Sequence, residues 1–370
     1  MPTNPKVSVA LITYNQQDYV GKAIESVLNQ TYQNFEIIVG DDCSTDETAN
    51  VIKSYKDERI KYFKTDYNMG INGNLNLVVS KTNGDIVVLI GGDDKLRKNH
   101  LECIVDNFTK MRDVDVLYSH LCAIDKYDNY IKGENECFEP LSNRTNEENI
   151  YMAFMDKNIL DSPGMAMRRR AIKTIFPLPY SIVNVQDYAM HLDIFANGLQ
   201  IYVLDEILVD YRIFDDGKNI SINNDTAIAR GQMEIAPLMD YFLKIKDIEL
   251  LKRVFKDEIQ KHNIEPYEDT IPFFLGQMAL LSPHYKRKEW GYHTIMEFLR
   301  DKKNFDIANK RYGFEFKDYL KLIEKISLSE TKSETKTKYV KKYKKYKKLF
   351  KIITIIVLAE ILIVLYLLIN

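Results

Sequence analysis

Four short apolar runs in the first hundred residues alternate with segments of helical periodicity, and this alternation limits the chain to few folds. The runs suit buried strands and cover residues 6–14, 35–42, 60–65 and 84–94. Residues 18–30 and 71–81 predict intervening helices, and Ser44 with Glu47 has the spacing of a capping box that opens another. Strands alternating with helices favour a largely parallel sheet covered on both faces. The sequence therefore predicts an α/β domain.

Polar clusters follow three of these predicted strands, at the point where each strand ends. The clusters are Tyr14–Asn15, Asp41–Asp42 and Asp93–Asp94. Sheets of this kind bind ligands at the carboxyl ends of their strands. We therefore expect the three clusters to converge on one edge of the sheet.

The glycine patterns typical of other nucleotide-binding proteins are missing. There is no GxxxxGK[ST] phosphate loop, and "TYNQQDY" stands after the first strand where a dehydrogenase would carry GxGxxG. A sugar nucleotidyltransferase is disfavoured as well, because no glycine- and arginine-rich loop follows strand one. Without a glycine cradle, a divalent cation held by carboxylates can neutralise a diphosphate.

The segment "VSVALITYNQQDYVGKAIESVLNQTYQNFEIIVGDDCSTDET" resembles the opening of the inverting family-2 glycosyltransferases. The resemblance continues through Asn76, "GDIVVLIGGDD", "SPGMAMRRRAI", "VQDYAMHLDIFANG" and "YRIFDDGKNIS", and it covers residues 6–221. It implies a GT-A fold, a mostly parallel central sheet flanked by helices that binds a nucleotide sugar. It also implies that the chain is an enzyme of the hexosyltransferase type.

The resemblance assigns the first strand ends to the donor nucleotide. Tyr14 and Asn15 occupy the loop that meets the base in the family, and an aromatic face there suits stacking on uracil; a core aromatic is the alternative for Tyr14. Asp42 matches the acid that accepts the base's ring N–H. Ser44 and Asp46 complete the motif, and they fit helix capping equally well.

Asp93 and Asp94 match the family's metal motif, which implies Mg²⁺ or Mn²⁺ on the donor diphosphate. Adjacent carboxylates repel unless a cation or proton intervenes, whereas the competing interpretation is a surface turn with two solvated acids. Gly91 stands where many relatives carry the motif's first aspartate. The ribose contact made there is therefore missing or supplied by another residue.

The resemblance places the general base at Asp187, within an "ED"-like element that reads Gln186–Asp187 here. Such a carboxylate takes the proton of an acceptor hydroxyl as its oxygen attacks opposite the leaving diphosphate, which inverts the anomeric centre. A plain acid at a helix N-terminus is the alternative.

Two arginine-bearing segments are candidates for phosphate contacts. Arg212 is expected to help hold the diphosphate, and Phe214 occupies a position where the family often has histidine. Asp215, Asp216 and Lys218 are candidate substitutes for that histidine. The three arginines of residues 168–170 suit phosphate contacts or a solvated face equally.

The C-terminal residues differ from the body. Residues 331–351 hold ten lysines and one acid, a charge of +9 that leaves −11 for the rest of the chain. Residues 352–369 are predominantly apolar, with one acid, Glu360, and, as a helix of about 27 Å, would span a bilayer. The lysines predict a cytoplasmic catalytic domain with a single C-terminal anchor, and contact with anionic membrane lipids; a solvated spacer is the alternative for the lysine run.

These patterns give a domain plan and a function. The plan lists a GT-A domain over 1–225 with a nucleotide-binding half 1–100 and an acceptor half 101–225, a helical region 226–330, a polybasic linker 331–351 and a transmembrane helix 352–369. The function is transfer of one sugar from a nucleotide-sugar donor, a UDP-sugar foremost, to a saccharide acceptor on a membrane lipid, such as a lipid-linked oligosaccharide, lipopolysaccharide or capsule precursor. No nucleic acid partner is expected. The rival is a catalytically inactive scaffold protein of the same fold, which Gly91 and Phe214 favour.

Overall fold

A computed structural model describes residues 2–214 and 225–326. The strands are β1 Val7–Thr13, β2 Phe35–Asp41, β3 Ile60–Lys64, β4 Ile86–Gly91, β5 Lys95–Leu96, β6 Val116–Ile124, β7 Ala166–Arg168 and β8 Ile201–Arg212. The helices up to β8 are α1 Val20–Leu28, α2 Thr48–Ser54, α3 Gly70–Lys81, α4 His100–Lys110, α5 Asn146–Met155, α6 Arg169–Ile175 and α7 Gln186–Ala196. After β8 come α8 Asp225–Leu238, α9 Ile248–Val254, α10 Lys256–His262, α11 Ile271–Ala279, α12 Tyr285–Phe298, α13 Lys302–Tyr312 and α14 Phe316–Leu322.

The eight strands form one sheet in the order β3-β2-β1-β4-β7-β6-β8-β5. The first four strands in that order are parallel to one another, as are β6 and β8. The short strand β7 joins the two groups by pairing antiparallel with both β4 and β6, and β5 is antiparallel to β8. The predicted α/β architecture with a mostly parallel sheet is confirmed.

Helices cover both faces of this sheet because its central strands are apolar on both sides. On one face α1 and α4 bury side chains such as Ile24 and Ile104 against the sheet. On the other face α3, α5 and α7 pack with α11, through residues such as Val78, Phe154 and Phe274. Fully buried strands are expected where helices cover a sheet on both sides.

The predicted capping box at Ser44 is wrong. Glu47 is the N-cap of α2 and makes no side-chain capping bond. The Ser44 hydroxyl instead accepts the backbone N–H of Asn15 at 2.9 Å, so it joins the loops after β1 and β2. Asp46 accepts the N–H of Thr48 at 3.0 Å and supports the start of α2 in place of Ser44.

The region after β8 is helical in its described part, as predicted. It packs on the body through α11 and α12, whose Phe274 and Trp290 join the core that α5 and α7 form. Within residues 2–214 and 225–326, no helix is both long and apolar enough to cross a membrane. The predicted span at 352–369 and the polybasic linker 331–351 lie outside these residues.

Candidate active site

The loop after β1 lies at the carboxyl end of the sheet, where the sequence predicts contact with the base. Tyr14 is 45% exposed, so it is a surface residue and the alternative of a core aromatic is wrong. Asn15 has a φ of 51°, and its side-chain oxygen accepts the N–H of Thr45 at 2.8 Å. The loops after β1 and β2 are thereby fixed to each other, with the Tyr14 ring free to meet a planar ligand.

Asp42 is buried and holds the start of α3. Its Oδ1 accepts the N–H of Met69 at 2.7 Å and the hydroxyl of Thr65 at 3.2 Å, and its Oδ2 accepts the N–H of Gly70 at 2.8 Å. A carboxylate offers about four acceptor positions, so one remains on Oδ2. This remaining acceptor position on Oδ2 is the one available to the ring N–H of a nucleobase.

Asp93 and Asp94 follow β4 at the same edge of the sheet. Asp93 is half-buried and Asp94 is buried, so the alternative of two solvated acids in a surface turn is wrong. Burial raises the pKa of Asp93, and burial together with the charge of Asp93 raises the pKa of Asp94 well above its ordinary value. The pair therefore resists full ionisation unless a cation approaches.

The space above Gly91 belongs to this acid pair. A Cβ at Gly91 would lie 2.8 Å from Oδ1 of Asp93 and 3.5 Å from Oδ2 of Asp94. A side chain at position 91 would thus displace the Asp93 carboxylate. Glycine at position 91 therefore makes room for the Asp93 carboxylate, in addition to supplying no carboxylate of its own.

Arg212 lies beneath the acid pair and does not face the open site. Its side chain is fully buried, its Nε donates to the backbone oxygen of Asp93 at 2.8 Å, and its backbone N–H donates to Oδ1 of Asp94 at 2.9 Å. Its remaining nitrogens donate to the backbone oxygen of Asp125 and to the carboxylate of Asp128. The expected contact with a diphosphate is replaced by a supporting role, because the guanidinium has no exposed surface.

Asp128 forms ion pairs with Arg212 and with two lysines. Its carboxylate pairs with Arg212 at 2.5 Å, Lys22 at 2.6 Å and Lys95 at 3.4 Å. Burial opposes ionisation of Asp128, but the hydrogen bonds from Lys22 and Arg212 outweigh it and hold its pKa at about 2. The loop between β6 and α5 is thereby fixed against α1 and β8.

Phe214 packs edge-to-face on Tyr19, with ring centroids 5.1 Å apart. The Tyr19 ring also lies 4.8 Å from the guanidinium carbon of Arg212. Phe214 thus belongs to the packing around Arg212. The candidate substitutes for histidine, Asp215, Asp216 and Lys218, lie outside the described residues.

The three consecutive arginines lie at the opposite end of the sheet. Arg168 donates to backbone oxygens at the end of α4, and Arg169 donates to the backbone of Gly84, just before β4. Arg170 pairs with Asp115, just before β6. These are the amino ends of the strands, so the arginines connect loops there, away from the acid pair. Arg168 is buried and Arg169 half-buried, and the alternative of a solvated face holds for Arg170 alone.

Asp187 lies at the N-terminus of α7 and is half-buried. Its Oδ1 accepts the N–H of Tyr188 at 2.7 Å and its Oδ2 accepts the amide of Asn158 at 3.1 Å. Burial raises the pKa of Asp187 to about 6. A carboxylate with a pKa close to neutrality is suited to accept and release a proton.

A chain of hydrogen bonds behind Asp187 was missed by the sequence reasoning. Buried His191 donates from Nδ1 to Oδ1 of Asn158 at 2.8 Å, and Ser162 donates from its hydroxyl to Nε2 of His191 at 3.4 Å. Burial lowers the pKa of His191 to about 3, so the ring is neutral. This arrangement fixes the Asn158 amide with its N–H₂ group toward Asp187. The motif "SPGMAMRRRAI" contains Ser162, and the spacing of Asp187 and His191 on one helix face was the available signal.

Two further groups face Asp187. The buried Tyr118 hydroxyl has no hydrogen-bond partner within the described residues, and its pKa is raised well above the ordinary value by burial and then by the charge of Asp187. Burial, followed by the charges of Glu139 and Asp187, raises the pKa of Asp161 to about 6. Segment 162–165 also connects this cluster to the acid pair, because Gly164 and Met165 hydrogen-bond with Leu89 in β4.

Asp187 opens into a cavity of about 700 Å³. The end of α5 and the start of α7 form one wall, and Gln232 and Ile235 of α8 with Pro283–Arg287 around the start of α12 form the other. The helical region after β8 therefore completes this cavity. A larger depression of about 940 Å³ near α9 and Arg311 contains none of the predicted site residues, and we place the site at Asp187 on the chemistry of its walls.

Comparison with known proteins identifies the family. The model of glycosyl transferase family 2 matches residues 8–176. An uncharacterized glycosyltransferase of Methanocaldococcus jannaschii is 30% identical over 213 residues, which are 56% of this chain and 71% of that protein. The chain belongs to glycosyl transferase family 2.

Two further comparisons extend this similarity, one to a curated enzyme and one to a solved structure with the same fold. The UDP-Glc:α-D-GlcNAc-diphosphoundecaprenol β-1,3-glucosyltransferase of Escherichia coli is 28% identical over 207 residues, 56% of this chain and 77% of that protein. The crystal structure of S. aureus TarS 1–349 in complex with UDP-GlcNAc superposes with a TM-score of 0.54 at 18% identity, covering 84% of this chain and 93% of TarS. The GT-A-like fold with a helical C-terminal region is confirmed.

The acid pair of this family-2 glycosyltransferase can be tested as a metal site on its own geometry. Among the described residues, no group of three or more histidine, cysteine, aspartate or glutamate side chains is placed to hold a metal ion. Two adjacent carboxylates are nevertheless what Mg²⁺ needs from a protein when substrate phosphates supply its other ligands. The raised pKa values of Asp93 and Asp94 agree with a pair built to share a cation.

Proposed function

We propose that the chain is an inverting glycosyltransferase that moves one sugar from a UDP-sugar to a hydroxyl of a lipid-linked saccharide. The observation that carries this proposal is Asp187, whose pKa of about 6 and place in the wall of a cavity suit a general base. The donor nucleotide is proposed to bind at the carboxyl edge of the sheet. Tyr14 would stack on the base, and Asn15 would hold the loop that carries it.

The proposed reaction is a single displacement. The acceptor hydroxyl transfers its proton to Asp187 while its oxygen forms a bond to the anomeric carbon, and the bond from that carbon to the diphosphate oxygen breaks. The nucleoside diphosphate leaves from the opposite face, so the configuration inverts. Asp93 and Asp94 would hold Mg²⁺ or Mn²⁺, which supplies charge neutralisation for the leaving diphosphate.

The names of the relatives support the substrate classes. The E. coli relative acts, by its name, on a diphosphoundecaprenol-linked acceptor with UDP-Glc as donor, and TarS was crystallised with UDP-GlcNAc. A cavity of about 700 Å³ beside Asp187 has room for terminal sugars of such an acceptor. We assign this cavity to the acceptor.

The proposed domain plan follows from this assignment. Residues 1–100 bind the nucleotide. Residues 101–225 form the acceptor half and contain the general base Asp187, and residues 226–330 complete the acceptor cavity. Residues 331–351 are proposed to contact anionic lipids and residues 352–369 to anchor the chain, with the catalytic domain on the cytoplasmic side. A tether would keep enzyme and lipid-linked acceptor at one surface.

Nucleotide binding tests the proposed function first. Calorimetry of the full chain with UDP, GDP and dTDP, each with and without Mn²⁺, should give Mn²⁺-dependent binding of UDP. Release of UDP from a UDP-sugar in the presence of a polyprenyl-diphosphate-linked saccharide should then follow. Absence of binding by all three nucleotides would favour the rival scaffold function.

Asn158 should set the working pH of the proposed base. Its amide donates to the charged form of Asp187, and hydrogen bonds to charged groups contribute about 1.5–3 kcal/mol. Asn158→Ala should therefore raise the pKa of Asp187 from about 6 by about one to two units. The rising limb of kcat/KM against pH should move up by the same amount, with activity recovering at high pH.

Asn197→Ala is the matched control for this prediction. Asn197 lies at the other end of α7 and donates to the carboxylate of Asp193 at 3.1 Å. That pair contacts no predicted site residue, so the pH profile should not move. A uniform loss of activity in Asn158→Ala at every pH would show that Asn158 acts on the fold and not on the base.

A further inference from the structure

The last described helix, α14, and the residue that follows it carry an apolar strip that residues 2–214 and 225–326 leave exposed. Phe316, Leu320 and Ile323 are 63%, 59% and 48% exposed. Their spacing of four and then three residues places them on one side of the helix. Single exposed apolar residues are ordinary, but three in a strip on one helix mark a contact surface. We call these three residues the α14 strip.

The α14 strip is a continuation of the side that packs on the protein. Tyr319 stacks on Tyr292 of α12 with centroids 5.8 Å apart, and Leu322 and Ile326 are buried in the adjoining core. At helical period the buried and exposed apolar residues together cover an arc of about 160°. The helix therefore buries one part of its apolar arc and presents the other outward.

The chain that follows decides which partner fits the α14 strip. Described residues end at Ile326, and residues 331–351 bring ten lysines and a single acid. A segment of this composition cannot fill an apolar strip, but it is attracted to anionic headgroups. Lys321 is exposed on α14 itself and can extend toward headgroups while the strip enters the boundary of the acyl chains, whereas Lys317 is exposed but pairs with Glu315 at 2.6 Å.

The position of α14 relates this surface to the proposed acceptor cavity. Lys288 of α12 donates to the backbone oxygen of Lys325 at 3.1 Å, so the end of the described chain lies against the first turns of α12. The first turn of the same helix, Tyr285–Arg287, lines the cavity that contains Asp187. A membrane in contact with this end of the molecule is therefore close to the cavity wall.

We propose that the α14 strip docks on the surface of a membrane that contains anionic lipids. The strip would then set the orientation of the catalytic body, in addition to the proposed anchor at residues 352–369. The purpose of this docking, which is to present the cavity to a lipid-linked acceptor, rests on the proposed function. The docking itself is measurable without donor or acceptor.

Photocrosslinking in the full chain tests the docking. A benzophenone amino acid is placed at position 316, and in a matched control at Tyr127, an aromatic residue that is 70% exposed on the loop after β6. The chain is reconstituted in vesicles of phosphatidylcholine and phosphatidylglycerol. Lipid adducts at position 316 should exceed those at 127 by about tenfold, because an interfacial helix inserts its apolar side into the acyl boundary. Equal yields, or adducts to residues 352–369 or to a second copy of the chain, would overturn the proposal.

A variant of the α14 strip separates docking from catalysis. Phe316→Gln, Leu320→Gln and Ile323→Gln together keep helix-forming residues on α14 and remove the apolar surface. The KM for a lipid-linked acceptor in vesicles should rise about tenfold, with UDP binding unchanged. The control combines Tyr127→Gln and Ile131→Gln and should leave this KM unaltered. If the wild-type chain neither binds UDP nor transfers sugar, the proposed function fails while the crosslinking result still decides the docking.

Discussion

Asp187→Asn should abolish most sugar transfer and leave nucleotide binding intact. An asparagine keeps the size of the side chain and its contacts at the start of α7, but it cannot accept the proton of the acceptor hydroxyl. General base catalysis contributes about 10²–10⁴-fold to rate, and kcat should fall by that factor. The measurement is the initial rate of UDP release at saturating donor and acceptor, together with calorimetric UDP binding.

The pH dependence gives this prediction a second readout. The base works when it is deprotonated, so wild-type kcat/KM should rise as pH increases through about 6, the pKa to which burial raises Asp187. The groups around Asp187 include Asp161, neutral His191 and the Tyr118 hydroxyl, and the cavity it shares is also lined by charged or titratable residues: Asp156, Lys157, His284, Lys286 and Arg287. Asp187→Asn should lose the rising limb.

Two controls identify which carboxyl is titrating. Asp161 also has a pKa raised to about 6, and Asp161→Asn should keep a rising limb if Asp187 is the base. Asp193→Asn, on the same helix and paired with Lys244 at 2.9 Å, should keep near wild-type rates. Wild-type turnover in Asp187→Asn, or loss of the limb only in Asp161→Asn, would remove Asp187 from the proposed role.

The strand ends were predictable from the sequence because their signals are local. A buried strand is a short apolar run, and the acids that follow it need no knowledge of the rest of the chain. The parallel direction of the first four strands follows from their alternation with helices, whereas their order in the sheet does not. The position of Asp93 and Asp94 at the carboxyl edge of the sheet was therefore predicted, whereas the burial of Asp94 was not.

Contacts between distant segments were not predictable in the same way. Arg212 is 118 residues from Asp94, and only the fold shows that its guanidinium supports the pair and does not reach into the open site. The sequence leaves phosphate contacts and a solvated face equally open for the three arginines at 168–170, whereas in the fold Arg168 and Arg169 donate to backbone oxygens and Arg170 pairs with the carboxylate of Asp115. Charge in a sequence indicates that a partner exists, not which one.

The support of Asp187 was missed for a related reason. Asn158 and His191 are polar residues that any helix end or core position can contain; Asn158 belongs to no motif, and the motif that contains His191 assigns no role to it. Their role as supports of Asp187 depends on one chain of hydrogen bonds, which joins the end of α5 to the interior side of α7. The capping box at Ser44 failed because the Asn15 backbone competed for the same hydroxyl.

The acid pair is expected to reduce the stability of the free chain. Folding raises the pKa of both carboxyls above their ordinary values. Between the ordinary and the raised pKa values, the folded chain therefore binds more protons than the unfolded chain. The stabilisation that protonation gives is present at low pH and is lost as pH rises through the folded pKa values. At neutral pH an ionised pair therefore opposes folding, and a bound cation relieves that cost.

Asp93→Asn should make the ligand-free chain as stable as the wild type or more stable, and should remove metal-dependent nucleotide binding. Of the two acids Asp93 is the more accessible, and its backbone oxygen, which accepts from Arg212, is unchanged by the substitution. A metal ion contributes several kcal/mol to diphosphate binding, so UDP affinity in Mn²⁺ should fall by about 100-fold or more. Thermal unfolding with and without UDP and Mn²⁺, beside calorimetry, measures both effects.

The matched control for Asp93→Asn is Asp85→Asn at the other end of β4. Asp85 accepts the backbone N–H of Lys6 at 2.9 Å and takes no part in the acid pair, so this variant should lose a little stability and keep the Mn²⁺-dependent rise in Tm. The two variants are thus expected to differ both in the stability of the ligand-free chain and in the Mn²⁺-dependent rise in Tm. A destabilised Asp93→Asn chain that still binds UDP in a Mn²⁺-dependent manner would show that the pair serves the fold. A carboxylate that serves as a metal ligand should be required for Mn²⁺-dependent binding and should not be required for folding.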